Sequence, residues 1–266
     1  MYDFPELAEA TDAFWTALAG RLTAGRRAAG IRISPPASLD RSLGHTALWR
    51  HPQLLLGQGC EYPLAKSFAG HIRWLATPCY TAAGCEGGYY RSAIVVRADD
   101  GVDSIAGLRG RRCIINERDS NSGMNLLRAA IAPLAGGRAF FEGITISGSH
   151  RQSAEAVAEG MADVTALDCV SYAHFQRLYP SLTRRLRRLD WTPASPSLPF
   201  ITGRAAGDAV VEALRAALQA VMTDPSLKAV RDALLLAGIT AGGGERYADV
   251  LGYERTAAAL GYPELR

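Results

Sequence analysis

Short apolar runs alternate with segments of helical periodicity along almost the whole of this 266-residue chain, and that alternation constrains the fold more than any other feature. Strand–helix alternation builds α/β layers with mostly parallel strands, because each helix carries the chain back to the same end of a sheet. The first helix is expected over 6–27, with Phe14, Leu18 and Leu22 on one face. A short strand over 31–34 is closed by Pro35 and Pro36, and Asp40 is placed to cap a helix reaching Trp49. Further strands are expected over 53–57, 72–76, 91–97, 112–116, 144–147 and 163–168, with helices over 122–134, 153–159 and 170–178. Residues 186–191 read as an extended link, 200–202 as a short strand, and the tail as helices over 209–222, 227–237 and 247–260. Extended stretches near 89–96 and 189–202 join two such series. They divide the chain into a first lobe (1–91), a second lobe (92–190) and a return segment (191–266) whose crossover and C-terminal helices complete the first.

Composition excludes several classes. With 48% hydrophobic and 21% charged residues the chain is an ordinary globular one. No apolar run approaches the ~20 residues that span a bilayer, so no membrane span is expected. A net charge of +3 is too small to imply nucleic-acid binding, and no nucleic-acid partner is expected. The one basic cluster, Arg184, Arg185, Arg187 and Arg188, alternates with Leu182, Leu186 and Leu189 and reads as a solvated face. Of five cysteines, Cys113 and Cys169 sit beside apolar runs and read as inert core residues, whereas Cys60, Cys79 and Cys85 lie in turn-rich segments and are free to pair. Their spacing fits no zinc site, and neither metal nor cofactor is expected. The N-terminus shows no basic region followed by an apolar one. The compartment is therefore left open: periplasmic if a leader was removed, cytoplasmic if Met1 is the native start.

The segment 112–127 carries the strongest functional signal. A buried strand runs into a polar turn, Ser120-Asn121-Ser122-Gly123-Met124, that opens a helix. The first helical turn has up to four N–H groups without partners and about half a positive charge, which suits phosphate, phosphonate, sulfonate or carboxylate. A well-capped helix would look the same, since Ser and Asn are favoured caps. Ser120 and Ser122 offer hydroxyls, the amides of Ser122, Gly123 and Met124 offer N–H groups, and Gly123 permits close approach. Arg91 would add a charge-assisted contact, or else form a surface ion pair. Tyr90 would present a phenol or pack in the crossover. Asp168 ends an apolar strand and either meets a ligand or caps the following helix. His150, after another strand, either complements an anion or caps its helix, the second being favoured. Tyr62 and Tyr2 are candidate ligand aromatics, as is Trp191, for which core packing is the stronger reading. Ligands of open α/β sheets bind beyond the carboxyl ends of the strands, where these residues converge. No catalytic constellation stands out: there is no G-x-S-x-G, H-E-x-x-H or Walker A pattern, and Gly57-Gln58-Gly59 is half a G-x-G-x-x-G. No catalytic residue is therefore assigned.

Four segments together resemble the phosphonate-type substrate-binding proteins of ABC transporters, within the type II periplasmic-binding-protein, transferrin-like superfamily. Residues 89–97 are similar to that family's crossover strand. Residues 104–112 are similar to its S-x-x-D-L-x-G-K turn, with Gly107 in the acidic position. Asp119-Ser120-Asn121-Ser122-Gly123 resembles its oxyanion-binding D-S-x-S-G, with Asn121 where Thr or Ser is usual, and residues 153–168 resemble its A-V-x-x-G-x-A-D-V-A-x-x-D. The resemblance implies an α/β, two-lobed fold of mostly parallel sheets flanked by helices, with two crossover strands as hinge. It implies capture of a small oxyanion between the lobes, an acidic residue at Asp168 for a ligand amine, and an ABC permease as partner. The superfamily also includes cytoplasmic enzymes of menaquinone and thiamine-precursor biosynthesis. An enzyme or a ligand sensor on the same scaffold is therefore the alternative.

Overall fold

The apolar runs become strands: β1 (Gly57–Gln58), β2 (Ile72–Tyr80), β3 (Tyr89–Tyr90), β4 (Ser92–Arg97), β5 (Arg112–Ile115), β6 (Gly143–Ile146), β7 (Val164–Asp168), β8 (Leu186–Trp191), β9 (Ser195–Pro196), β10 (Phe200–Gly203) and β11 (Leu236–Ala241). The structure, a computed structural model, describes residues 2–29, 34–242 and 244–266. The strand expected over 31–34 falls, apart from Ser34, outside the described residues.

The chain forms two units, one comprising residues 1–81, 86–88 and 196–246, the other residues 82–85, 89–195 and 247–266. The chain passes from one unit to the other after residues 81, 85, 88, 195 and 246. The expected allegiance of the last segment needs correction. Residues 247–266 belong to the second unit, because its polar groups claim them: the Phe140 N–H donates to the Arg266 carbonyl (2.7 Å) and Arg128 Nη1 to the Pro263 carbonyl (2.7 Å). A helix's apolar stripe says that it is covered, not by which unit.

In the first unit the sheet order is β1-β10-β2-β11, with antiparallel neighbours throughout. Helix Ala8–Ala29 buries Phe14, Leu18 and Leu22 as its periodicity predicts, and packs with helix Asp208–Thr223, which buries Val211, Leu214, Leu218 and Val221. A second cluster joins Trp49, Leu54, Leu64, Phe68, Ile72 and Ile201. Gly59 serves this packing, since a Cβ there would lie 2.6 Å from Leu64 and 2.9 Å from the Trp49 indole. The Gly57-Gln58-Gly59 triplet is thus a packing feature. Two local expectations fail. Asp40 accepts from the Ser42 N–H (2.8 Å) in a turn, and the helix starts only at His45. The helix expected over 227–237 stops at Ala233, and the chain turns through Leu235 at φ 57° into β11.

In the second unit the order is β6-β5-β7-β4-β8. The parallel pairing expected from strand–helix alternation is found in β6-β5-β7, while β4 runs antiparallel to both β7 and β8. Strands joined through helices come out parallel; β4 and β8 are entry and return strands and need not. Residues 92–96 and all of β7 are buried, as their near-continuous apolar character requires of strands covered on both faces. Helices Leu126–Ala135, His150–Ala158 and Cys169–Leu178 follow β5, β6 and β7, which puts three helix starts beyond strand carboxyl ends.

Candidate functional site

Ser120 is the N-cap of the helix after β5: its φ and ψ are extended, −70° and 131°, and its Oγ accepts the Gly123 N–H at 3.0 Å. Residues Asn121–Asn125 form a turn of π-helix before the α-helix, and the first backbone bond runs from the Asn125 N–H to the Ser120 carbonyl, 3.0 Å. An opening of this width leaves one more amide without an intrahelical carbonyl than an α-helical start does. With Gly123 taken by the Ser120 hydroxyl, the N–H group of Ser122 has no carbonyl acceptor among the described residues. The expected three-amide anion contact is reduced accordingly: Gly123 N–H belongs to the cap.

Gly123 is required for another reason. A Cβ there would stand 1.8 Å from Asn116 Oδ1 and 3.4 Å from His150 Cε1. Asn116 Oδ1 is buried with no hydrogen-bond partner, so the amide of Asn116 lies directly against the bare Cα. Ser122 Oγ pairs with His150 Nε2 at 2.8 Å and lies 3.5 Å from Ser120 Oγ. Burial pushes the His150 imidazole down to about 4, against a backbone contact at Ala166 that favours the cation. His150 is thus neutral near pH 7. The helix it begins is capped by Ser149, whose Oγ accepts from the Gln152 N–H (3.2 Å), so the expected capping role of His150 falls to its neighbour.

Asn121 points inward. Its Nδ2 donates to Tyr90 Oη (3.1 Å) and Ser195 Oγ (2.9 Å), and its Oδ1 accepts from Asn125 Nδ2 at 2.7 Å. Asn125 Nδ2 also reaches the Val250 carbonyl (3.2 Å), and Arg128 Nη2 donates to Asn125 Oδ1 at 2.6 Å. Tyr90, Asn121, Asn125 and Arg128 are all buried. This chain of polar contacts runs along one helix face and holds the turn against β3 and the C-terminal segment.

Asp168 is 2% exposed, and its Oδ1 accepts the N–H groups of Val170 (2.8 Å) and Ser171 (2.9 Å). The capping alternative is therefore present in the structure. Ser92, its register partner on β4, is buried with an unpartnered Oγ. Arg91 is exposed and donates from Nη1 to the Thr192 carbonyl (2.9 Å); Tyr90 and Ser92, its neighbours in the chain, are buried. Met124, the last residue of the turn, is buried. Tyr62 and Tyr2 belong to the first unit: the Tyr62 hydroxyl accepts from Lys66 Nζ (2.9 Å), and Tyr2 meets the Tyr80 ring edge-on at 5.3 Å. Trp191 is half-buried beneath Arg188, whose guanidinium lies 4.1 Å from the ring centre. The sequence reading passed over Asn116, Asn125, Arg128, Ser195 and Ser92. The spacing of Asn121, Asn125 and Arg128, one helix face at i, i+4 and i+7, was the available signal.

Solved structures share the fold. A Xanthomonas citri protein bound to ATP is similar at 17% identity and TM-score 0.66, over 94% of this chain and 95% of that one. PhnD1 from Prochlorococcus marinus, in complex with methylphosphonate, is similar at 15% identity and TM-score 0.70, over 94% of each chain. A binding protein component of an ABC phosphonate transporter from Pseudomonas aeruginosa matches at 16% identity and TM-score 0.68, over 93% of this chain and 82% of that one. The fold is that of the periplasmic binding proteins, two α/β units with sheets flanked by helices. Residues 53–247 match the family described as ABC transporter, phosphonate, periplasmic substrate-binding protein, and the chain belongs to that family. The family gives it a solute-binding role with a small ligand and permease partners. No characterised protein sequence matches the chain. Among the described residues no helix is long and apolar enough to cross a membrane.

Proposed function

We propose that the protein captures a small tetrahedral oxyanion, a phosphonate, phosphate or similar group, at the turn Ser120–Met124, as the receptor component of an ABC-type importer. One observation carries this reading: the π-type opening starts its backbone bonding only at Asn125 and leaves the Ser122 amide without a carbonyl acceptor beside two serine hydroxyls, at the positive end of a helix. Neutral donors of this kind form short, charge-assisted bonds to an anionic oxygen. Asn121, Asn125 and Arg128 act as positioning residues that hold the turn in register, and Asn116 packs the bare face of Gly123. The neutral His150 fixes the Ser122 rotamer. Asp168 keeps its proposed second task, a ligand amine, alongside its cap.

Calorimetry of the full chain with methylphosphonate, inorganic phosphate and methanesulfonate tests the proposal. Micromolar or tighter binding of at least one is expected, weakened about ten- to a hundredfold in Ser122→Ala. No heat of binding with any of the three up to millimolar concentration overturns it.

A further inference from the structure

Cys85 Sγ and Cys169 Sγ lie 3.3 Å apart, which joins a cysteine of a turn-rich segment to one that the sequence places beside an apolar run. The contact is built from both sides. Residues 82–85 form a short excursion of the chain into the second unit, closed by a Cys85 N–H to Ala82 carbonyl bond of 3.0 Å. Gly84, at φ 98°, lets it approach: a Cβ there would lie 2.7 Å from the Trp191 ring and 3.1 Å from Cys169 Cβ. Cys169 is fixed in turn as the first residue of its helix, between the Asp168 cap and an N–H bond to the Arg91 carbonyl (3.2 Å). Cys85 is half-buried and Cys169 buried.

We propose that Cys85 and Cys169 are a reversible dithiol–disulfide pair, oxidised by thiol–disulfide exchange with a small disulfide such as oxidised glutathione. The sulfurs must close by roughly 1.3 Å to reach bonding distance. The order of attack follows from exposure. Cys85, as thiolate, attacks one sulfur of glutathione disulfide and expels one glutathione thiolate. Cys169 then loses its proton to solvent, and its sulfur attacks the Cys85 sulfur of the mixed disulfide and expels the second glutathione. Two protein thiols are oxidised and one glutathione disulfide is reduced to two thiols. The hydrogen bond with Cys85, burial and the Asp168 carboxylate all hold the Cys169 thiol well above the ordinary range, so Cys169 is not the sulfur that meets the oxidant first, and its own attack waits on loss of its proton. Closure fastens the 82–85 excursion to the residue after Asp168, at the start of its helix.

The test is a thiol map of the full chain after incubation with oxidised glutathione, alkylation of remaining thiols, proteolysis and mass spectrometry. The expected result is one Cys85–Cys169 cross-linked peptide with the loss of two hydrogens, and three alkylated cysteines, five less the pair. Dithiothreitol restores all five. In Cys169→Ser, Cys85 stops at a stable glutathione adduct; in Cys85→Ser, Cys169 is unmodified, and circular dichroism first establishes that each variant is folded. The half-buried Cys85 position and the wild-type map keep the test decisive if Cys169→Ser does not fold. A wild-type map with Cys85 held only as a glutathione adduct, linked to Cys60 or Cys79, or untouched in excess oxidant overturns the proposal.

Discussion

Two helices of the second unit start beyond the carboxyl ends of β5 and β7, and they are closed in chemically opposite ways. After β7, the Asp168 carboxylate accepts both the Val170 and Ser171 N–H groups, so the protein supplies the anion that the helix end attracts. After β5, the neutral Ser120 hydroxyl accepts one N–H, that of Gly123, and the wide first turn delays the first backbone bond to Asn125. The same position in the fold is saturated in one case and left with donors and partial positive charge in the other. A carboxylate cap and an anion site compete for the same amides, and a hydroxyl cap is what leaves them to a ligand.

Ser120→Asp breaks the contrast most directly, by installing the carboxylate cap at the candidate site. Like charges about 4 Å apart in a partly buried setting repel by about 4 kcal/mol, so oxyanion affinity is expected to fall about a thousandfold. The helix keeps its cap, and thermal stability is expected to hold. Retained affinity in a folded Ser120→Asp protein would place the ligand elsewhere. Gly123→Ala comes next. Its Cβ meets Asn116 Oδ1 at 1.8 Å, so either the turn or the Asn116 side chain must move, with an expected loss of about 2–3 kcal/mol and about a hundredfold in affinity. Adding Asn116→Ala removes the obstruction and should restore most of the stability in denaturant melts. A double variant no better than the single one would show that the backbone, not Asn116, sets the limit.

What the sequence makes legible follows from how local each signal is. The Ser120 cap and the strand–turn–helix frame depend on a few adjacent residues and are readable in 112–127. The periodicity of 6–27 correctly gave the buried face of the first helix. Asn121 was readable as a polar residue at a helix start but not as one facing inward. Its partners Tyr90 and Ser195 come from strands 31 residues before and 74 after it, and no local pattern announces them. The unit to which 247–266 belongs is hidden for the same reason, since Val250 and Pro263 are claimed by Asn125 and Arg128 through tertiary contacts. The Cys85–Cys169 contact spans 84 residues and depends on Gly84 at positive φ, which a turn-rich sequence does not specify. At 234–236 helix propensity ran on through Leu235, and a single left-handed residue ended it.

The histidines sharpen the contrast from the side of stability. Burial pushes His150 and His174 down to about 4, below the ordinary value of 6.5. Between those values the unfolded chain binds protons that the folded one refuses. Stability is therefore full above pH 6.5 and falls as pH drops toward 4, by at most about 3 kcal/mol for each histidine. Denaturant midpoints measured across this window should decline on acidification, and His150→Gln should remove part of the slope. An unchanged slope would mean that His150 titrates normally and does not stand neutral behind Ser122.

The smallest effect expected is the most discriminating for Asp168. Asp168→Asn keeps an oxygen for the Val170 and Ser171 amides and removes the charge. Stability is expected to change by about 1 kcal/mol or less, as for exchange between two favoured caps. Affinity for methylphosphonate, which has no amine, should stay within about threefold, because the β5 helix end is unaltered. Affinity for an aminoalkylphosphonate is the variable that separates the two roles. If Asp168 also receives a ligand ammonium, replacing its carboxylate removes a charge-assisted bond, and affinity for the amine-bearing ligand alone falls about tenfold or more. Equal affinities of the variant and the parent for both ligands would confine Asp168 to its cap, with the carboxylate serving only to saturate the helix end after β7.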